Sequence, residues 1–416
     1  MSQELPTSLE APADQQALVI PEPANPRRPP GESLTHSGMS IGRFVGMHVM
    51  GAIFPVTAGL MLYGWRALAT MAIVCASSGV ATFIWRHIGA RGPQLRYSHA
   101  LWLSVLLSLM LPPHLVTDAH LFDQRYIATW PILPAAGFAL VILTWTLGGL
   151  GSGRVHPVVI TYLLLCALFG NLIVPHVTLQ RHELFVGDVL KAGPPNVYLE
   201  QQQPWISAQP ITGQDAVRVD PASQRLIFFT TGNELPERAW LSLESLLRDR
   251  MPPLEDLIIG GHPGPIGTSS GIAIIIGGLF LLYRGLIDYR IPLLIFAAAF
   301  ICLLILPIPV VITENAKEWR WIAMRETGVG WPLAVTFANY EIMASPLLFM
   351  AFFLATAAAV RPMTRRARTI FALLVGALSA ICQLYASVSF GPYLALLFVS
   401  LLTPTFDKWF HPRTLV

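Results

Sequence analysis

The stretch GLMLYGWRALATMAI, residues 59–73, has an echo in GLFLLYRGLIDYRIPLLI, residues 278–295. In each, one apolar run gives way through a tyrosine and an arginine to the next. Working outward from these passages, apolar runs of about twenty residues recur between polar breaks, each long enough to cross a hydrocarbon core of about 30 Å. We place spans at 44–62, 66–85, 98–117, 130–148, 156–175, 266–284, 290–312, 333–358, 369–388 and 391–405. The echoes then join the first span to the second in each of two five-span halves. Because five is odd, the second half lies upside down relative to the first, which is the inverted-repeat arrangement of many membrane transport folds. A plainer reading is chance similarity, since membrane spans draw on few residue types.

Composition agrees with a membrane solvent. Of 416 residues 54% are hydrophobic and only 12% charged, about half the charged share of a soluble globular chain. A net charge of +3, dispersed along the chain, excludes a nucleic-acid surface, where basic side chains cluster on one face. Cys75, Cys166, Cys302 and Cys382 each stand alone in an apolar run and read as small buried hydrophobes. His114, His120, His176 and His182 form no spaced set with carboxylates or thiols, so no metal site is expected. Trp65, Trp85, Trp130, Trp319, Trp321, Trp331 and Trp409 gather at span ends, as an interfacial aromatic belt requires.

The short loops set the orientation. Arg86, Arg91 and Arg96, then Arg154, then Arg284 and Arg290, then Arg361, Arg365, Arg366 and Arg368 all fall on one side, and the positive-inside bias makes that side cytoplasmic. The expected organisation is a disordered cytoplasmic tail over 1–40, a five-helix repeat over 41–175, an extracytoplasmic insert over 176–265, a second five-helix repeat over 266–408 and a cytoplasmic tail over 409–416. Within the insert, 225–230 (RLIFFT) reads as a strand and 239–250 as an amphipathic run ending at Pro252 and Pro253.

Several punctuating motifs together resemble one family, that of the RnfD component of Rnf electron-transport complexes and the NqrB component of the sodium-translocating NADH:quinone oxidoreductase. They are YGWRAL (63–68), LMLPP (109–113), GGLGSGRVHPVV (148–159), GPIGTSSG (264–271), GGLFLLYRGLIDYRIP (277–292), RPMTRRAR (361–368) and LTPTFDKW (402–409), in the family's order from about residue 40 onward. The resemblance implies an all-α fold of about ten transmembrane helices similar to urea and ammonium channels. It also implies electron transfer between flavins coupled to ion movement in a bacterial inner membrane, with other subunits of the complex as partners.

The departures from the family pattern concern the flavin. The family's covalent FMN sits on a threonine in Ser-Gly-Ala-Thr, and the corresponding region here reads NELPERAWLSLESLL (233–247). Covalent FMN is therefore not expected, while noncovalent FMN or riboflavin stays open. The family's Asn-Pro-Phe-Asn-Pro is reduced here to Pro157, its Gly-Glu-Thr-Ser appears without the carboxylate at Gly267, Thr268, Ser269 and Ser270, and its Asp-Pro is gone from ATAAAVRP (355–362).

The candidate site residues follow from local chemistry. A glycine-rich turn opening a helix presents free amides and a positive dipole end to a phosphate, which marks Gly267, Thr268 and Ser269 as cofactor contacts; the same small residues also suit close helix packing. Arg154, in a turn holding Gly148, Gly149, Gly151 and Gly153, could pair with a phosphate or simply anchor a cytoplasmic turn. Glu341 is the one carboxylate inside a span, a functional hypothesis by default. It is read as an ion-path residue, or as an interfacial acid near the outer end of span eight. His48 and His99 are packing histidines with a weaker claim to a proton relay. No catalytic residue is assigned. A reading from another class is a channel or transporter for a small polar solute without redox chemistry.

Overall fold

The computed structural model describes residues 41–88, 96–116, 119–120, 126–127, 129–147, 155–173, 177–180, 216–219, 223, 226, 247, 251, 254–260, 264–313, 316–321, 330–386 and 389–410. The tail expected over 1–40, the strand at 225–230 and the amphipathic run at 239–250 lie almost wholly outside these residues.

The described chain is helical, with apolar helices suited to a membrane. In chain order it has α1 (Ile41–Tyr63), α2 (Trp65–Ile88), α3 (Tyr97–Met110), α4 (Ile132–Thr146), α5 (Pro157–Ile173), the short α6 (Leu254–Ile259), α7 (Gly271–Tyr283), α8 (Arg290–Ile305), α9 (Gly330–Ala344), α10 (Leu347–Phe349), α11 (Arg365–Tyr385) and α12 (Gly391–Trp409). Helix α10 runs straight into a π-helical turn, Met350–Leu354. Three helices, α1, α2 and α11, are long and apolar enough to cross a membrane, and α9 with α10 makes a fourth if the bent pair counts as one span. Large apolar side chains such as Met61, Leu101, Leu164, Leu293 and Phe398 stand exposed, as lipid contact demands. Trp65, Trp130, Trp321, Trp331 and Trp409 are exposed as well.

Three antiparallel pairs lie between helices: β1–β2 (Ala119–His120 with Tyr126–Ile127), β3–β4 (Val177–Gln180 with Ala216–Val219) and β5–β6 (Ile308–Thr313 with Ala316–Arg320). The last of these departs from the expected seventh span, 290–312. Helix α8 stops at Ile305, because Pro307 and Pro309 cannot supply helical N–H groups, and the β-branched run that follows pairs as a hairpin instead.

Two local devices shape the helices. Gly64 closes α1 at φ +59° and Gly285 closes α7 at φ +66°, the left-handed conformation in which glycine has no Cβ penalty. The echo passages therefore share a left-handed glycine, with different hydrogen bonds around it: Gly64 N donates to Leu60 O, and Gly285 N to Leu282 O. Helix packing repeats at the same displacement. A Cβ at Gly137 of α4 would meet the Val74 carbonyl oxygen, Ser77 and the Ser78 nitrogen of α2, and one at Gly376 of α11 would meet the Ile295 carbonyl oxygen, Ala298 and the Ala299 nitrogen of α8. Both glycines fill a hole made by residues i, i+3 and i+4 of the facing helix. The turns and the holes are both separated by 221 residues (285 less 64, 295 less 74).

The second device is the proline break. Helix α3 ends at Leu111-Pro112-Pro113 rather than running to 117, and the expected eighth span, 333–358, bends by 66° at Ser345-Pro346. Proline removes an N–H and clashes with the preceding turn. The carbonyls freed at the first break are taken up across the fold, since Leu109 O accepts from Gly267 N at 2.7 Å and Leu111 O from Ile266 N at 3.2 Å. At the second break Ser345 Oγ donates to Ile342 O and Gln383 Nε2 of α11 donates to Glu341 O at 3.2 Å.

Candidate functional site

The two broken helices point at one cavity of about 50 Å³, bordered by Pro112 and His114 after the first break, Ala344 and Pro346 at the second, Gly264, Pro265 and Thr268 of the glycine-rich turn, and Tyr162 and Tyr393 of α5 and α12. That volume holds a few waters or one partly hydrated small ion. The two tyrosine rings meet edge to face, 5.2 Å between centroids. The Tyr162 hydroxyl bonds to the Cys166 thiol one turn on, whereas the fully buried Tyr393 hydroxyl has no hydrogen-bond partner among the described residues. His114 Nε2 donates to Leu172 O at 2.9 Å, which ties the segment after the first break to α5.

The predicted site residues fall into three places. Gly267, with Ile266 before it, forms the seam against the end of α3, Thr268 lines the cavity, and Ser269 is wholly buried. Their backbone does not fit a phosphate cradle. The amides of Ile266 and Gly267 are spent on α3, Thr268 N donates to Pro265 O, and the Ser269 hydroxyl donates to Ile266 O. A Cβ at Gly267 would lie 2.6 Å from Leu109 Cβ, so glycine is required there by close approach. Ser270 caps α7, its hydroxyl accepting from Ala273 N.

Glu341 lies one turn before the second break and is only 5% exposed. The expectation of a water-reached interfacial acid is corrected by this burial, and Gln383 of α11 is bonded to the Glu341 backbone. Arg154 falls outside the described residues. His48 is a packing histidine, with Nδ1 2.9 Å from Phe44 O and its ring on Phe44 and Trp102.

Sequence reasoning passed over Gln383, Tyr162, Tyr393 and the buried His156. Gln383 carried a usable signal, since an amide in an otherwise apolar span needs a partner. The tyrosines carried none, because a tyrosine in a span reads equally as an interfacial anchor.

Outside the membrane-facing helices, Asp256 in α6 is held above the ordinary carboxylate range by partial burial and then by the neighbouring charge of Glu255. On the arginine-rich side, Arg368 at the start of α11 donates to Pro362 O and Met363 O, both at 2.9 Å, and pairs with Asp288 at 3.3 Å. The RPMTRRAR and YRGLIDYR passages thus lock together.

Comparison with known proteins bears on the same architecture. The chain is 25% identical over 416 aligned positions to the D component of the ion-translocating oxidoreductase complex of Pseudomonas aeruginosa, covering 95% of this chain and 96% of that protein. It is 24% identical to the protein of the same description from Halorhodospira halophila, over 88% and 89% of the two chains. A third relative, the D component of the proton-translocating ferredoxin:NAD(+) oxidoreductase complex of Clostridium ljungdahlii, is 29% identical over 38% of this chain and 41% of its own. A family model described as "NQR2, RnfD, RnfE family" matches residues 31–416, a range that takes in both proline breaks, both glycine turns and the seam between them. The chain belongs to the NQR2, RnfD, RnfE family.

Proposed function

We propose that this protein is the RnfD-type membrane subunit of an ion-translocating oxidoreductase complex, scaffolding electron and ion transfer with the complex's other subunits. The observation that carries this reading is the match to D components of such complexes over nearly the whole of both chains. The solute-channel alternative has no such support.

The architecture we propose is ten crossings in two inverted five-helix repeats, 41–175 and 266–408, with 176–265 outside the cytoplasm, both termini cytoplasmic and the chain in a bacterial inner membrane. Its support is the repeated geometry: matching left-handed glycines, matching glycine holes, and two proline-broken spans facing one cavity. The largest helix interfaces also correspond, α2 with α4 in one half and α8 with α11 in the other, while α1 meets α7 and α5 meets α12 across the halves.

Glu341 is proposed as the ion-path residue, because a carboxylate so buried in a span has no structural use that an apolar side chain would not serve better. Covalent FMN is not part of this reading, since Ser-Gly-Ala-Thr is missing. A noncovalent FMN or riboflavin on the outer side would meet the side chain of Thr268, because the turn at Gly267 has its amides engaged and the Ser269 hydroxyl is bonded to Ile266 O, while Arg154 would be a separate contact on the cytoplasmic side. The test is purification of the native complex. Co-purification with further redox subunits, and a denatured band of this chain without flavin fluorescence, is the expected result. A chain that purifies alone, colourless, and passes solutes in liposomes would overturn it.

A further inference from the structure

We propose that the arginine-rich rim where α8 and α11 begin and α12 ends is a binding site for one anionic phospholipid, its phosphate held among Arg365, Arg366 and Lys408. The inference needs only that the chain is embedded in a membrane, so it stands apart from the ion-path and flavin readings.

Three segments meet at this rim: 284–290, 360–368 and 403–410. Arg368 joins the second to the first through its 3.3 Å pair with Asp288. The third is joined to the second where Asp407 Oδ1 accepts from Met363 N at 2.9 Å and Thr403 Oγ1 donates to Val360 O at 3.1 Å. Together the segments carry seven basic residues and two acids, Asp288 and Asp407. Both acids are already engaged within the fold, Asp407 on Met363 N and Asp288 on Arg368 and on Arg290 N. Like charges gathered in one place repel unless an anion neutralises them, and the chain supplies no further anion here.

Arg365, Arg366 and Lys408 are exposed, and none of them makes an ion pair with another described residue. Lys408 stands one residue, and Arg365 two, from the Met363–Asp407 hydrogen bond. The charged ends of α11 and α12 are thereby brought within reach of a common anion. A guanidinium fork matches a phosphate bidentately, and the positive end of the α11 dipole adds to the potential at its first turn.

The neighbouring surface identifies the kind of anion. Tyr289 and Trp409, exposed by 59% and 73%, flank the basic residues, as aromatic side chains do at headgroup depth. Toward the middle of the membrane the same helix faces turn apolar. Helical positions i, i+4 and i+7 share a face, so Arg366 heads a stripe through Ile370 to the exposed Leu373 on α11, and Lys408 lies seven residues from the exposed Leu401 on α12. A soluble anion or an acidic protein would use the charges alone. A phospholipid uses both, with its phosphate at the basic groups and its chains along the leucines, as basic pockets between membrane helices do elsewhere.

The test is native mass spectrometry of the full-length chain in detergent, titrated with dioleoylphosphatidylglycerol or dioleoylphosphatidylcholine. The wild type is expected to take up one phosphatidylglycerol saturably, at least about tenfold more tightly than phosphatidylcholine. Each basic side chain at the headgroup is worth about fivefold in affinity. Arg365→Gln, Arg366→Gln and Lys408→Gln together should therefore weaken the phosphatidylglycerol adduct about a hundredfold and leave phosphatidylcholine unchanged. Arg86→Gln, at an exposed arginine outside the rim, should behave as the wild type. Equal binding of the two lipids by the wild type overturns the proposal, and this arm needs no variant to fold. A triple variant that keeps the preference overturns it too, as does an Arg86→Gln that loses as much, which would reduce the effect to diffuse charge. Displacement of the lipid by inorganic phosphate at constant ionic strength would reassign the rim to a free anion. Loss of a partner subunit from the native complex of the triple variant, with lipid binding intact, would reassign it to a protein interface. Either result ends the lipid site.

Discussion

Replacing Gly376 by alanine tests the helix seam at α8 and α11, the most extensive interface in the second half of the chain. The added Cβ would press on the Ile295 carbonyl oxygen and lie 2.8 Å from Ala298 Cβ and 3.1 Å from Ala299 N. Carbon contacts are comfortable near 3.5–4.0 Å, so the helices must part by roughly 1 Å, and the obstacle is backbone, which has no rotamer to escape into. Overpacking of this kind costs about 1–3 kcal/mol. Alanine also gains about 1 kcal/mol of helix propensity over glycine, which would mask part of the loss if Gly376→Ala were compared only with the wild type. Gly46→Ala and Gly79→Ala supply the correction, because a Cβ at either helical position meets nothing within 4 Å and gains the same propensity. Denaturant unfolding in bicelles should then place Gly376→Ala about 1–3 kcal/mol below these controls. Gly137→Ala, which faces the corresponding hole in α2, should fall equally far. Gly376→Ala indistinguishable from Gly79→Ala would refute the close approach of α8 and α11, and unequal losses at 137 and 376 would refute the correspondence of the halves.

Two further outcomes are expected. Arg368→Ala should destabilise by about 1.5–3 kcal/mol, since it strips charged hydrogen bonds from two carbonyls as well as the ion pair; Asp288→Asn, which loses chiefly the pair, should cost under about 1 kcal/mol, and the reverse order of the two variants would count against the capping role. Asp256 has its folded pKa raised, so the fold prefers the neutral acid. Its contribution is fully present below the unfolded value of about 3.9 and is lost as pH rises through the folded value. Asp256→Asn should therefore flatten the mildly acidic limb of the stability profile, and an unchanged limb in an unfolding series would show that the burial of Asp256 has no energetic effect.

The parts of the fold that were legible in the sequence are those governed by neighbours along the chain. Apolar runs announced the helices, Trp65 and Trp409 announced exposed ends, and LMLPP announced the end of α3, even though the helix stops earlier than 117. Where two local signals competed, the outcome was harder to read. The eighth span reads as one run interrupted by Asn339, Glu341 and Pro346, and only Pro346 breaks it, because side-chain polarity can be satisfied by a neighbour while a missing N–H cannot. Residues 306–312 are apolar enough for a span, yet Pro307 and Pro309 turn them into a hairpin strand.

Composition and periodicity alone determined that this chain is helical, apolar and punctuated by glycine and proline at particular points. Only the tertiary structure decided what those points do. Gly267 spends its amide on Leu109, Gln383 finds the backbone of Glu341, and Pro112 and Pro346 come to border one cavity. Each of these joins residues far apart in sequence, and a hydrogen-bonding group exposed at a break records only that it needs a partner. Which partner it obtains depends on how the helices pack.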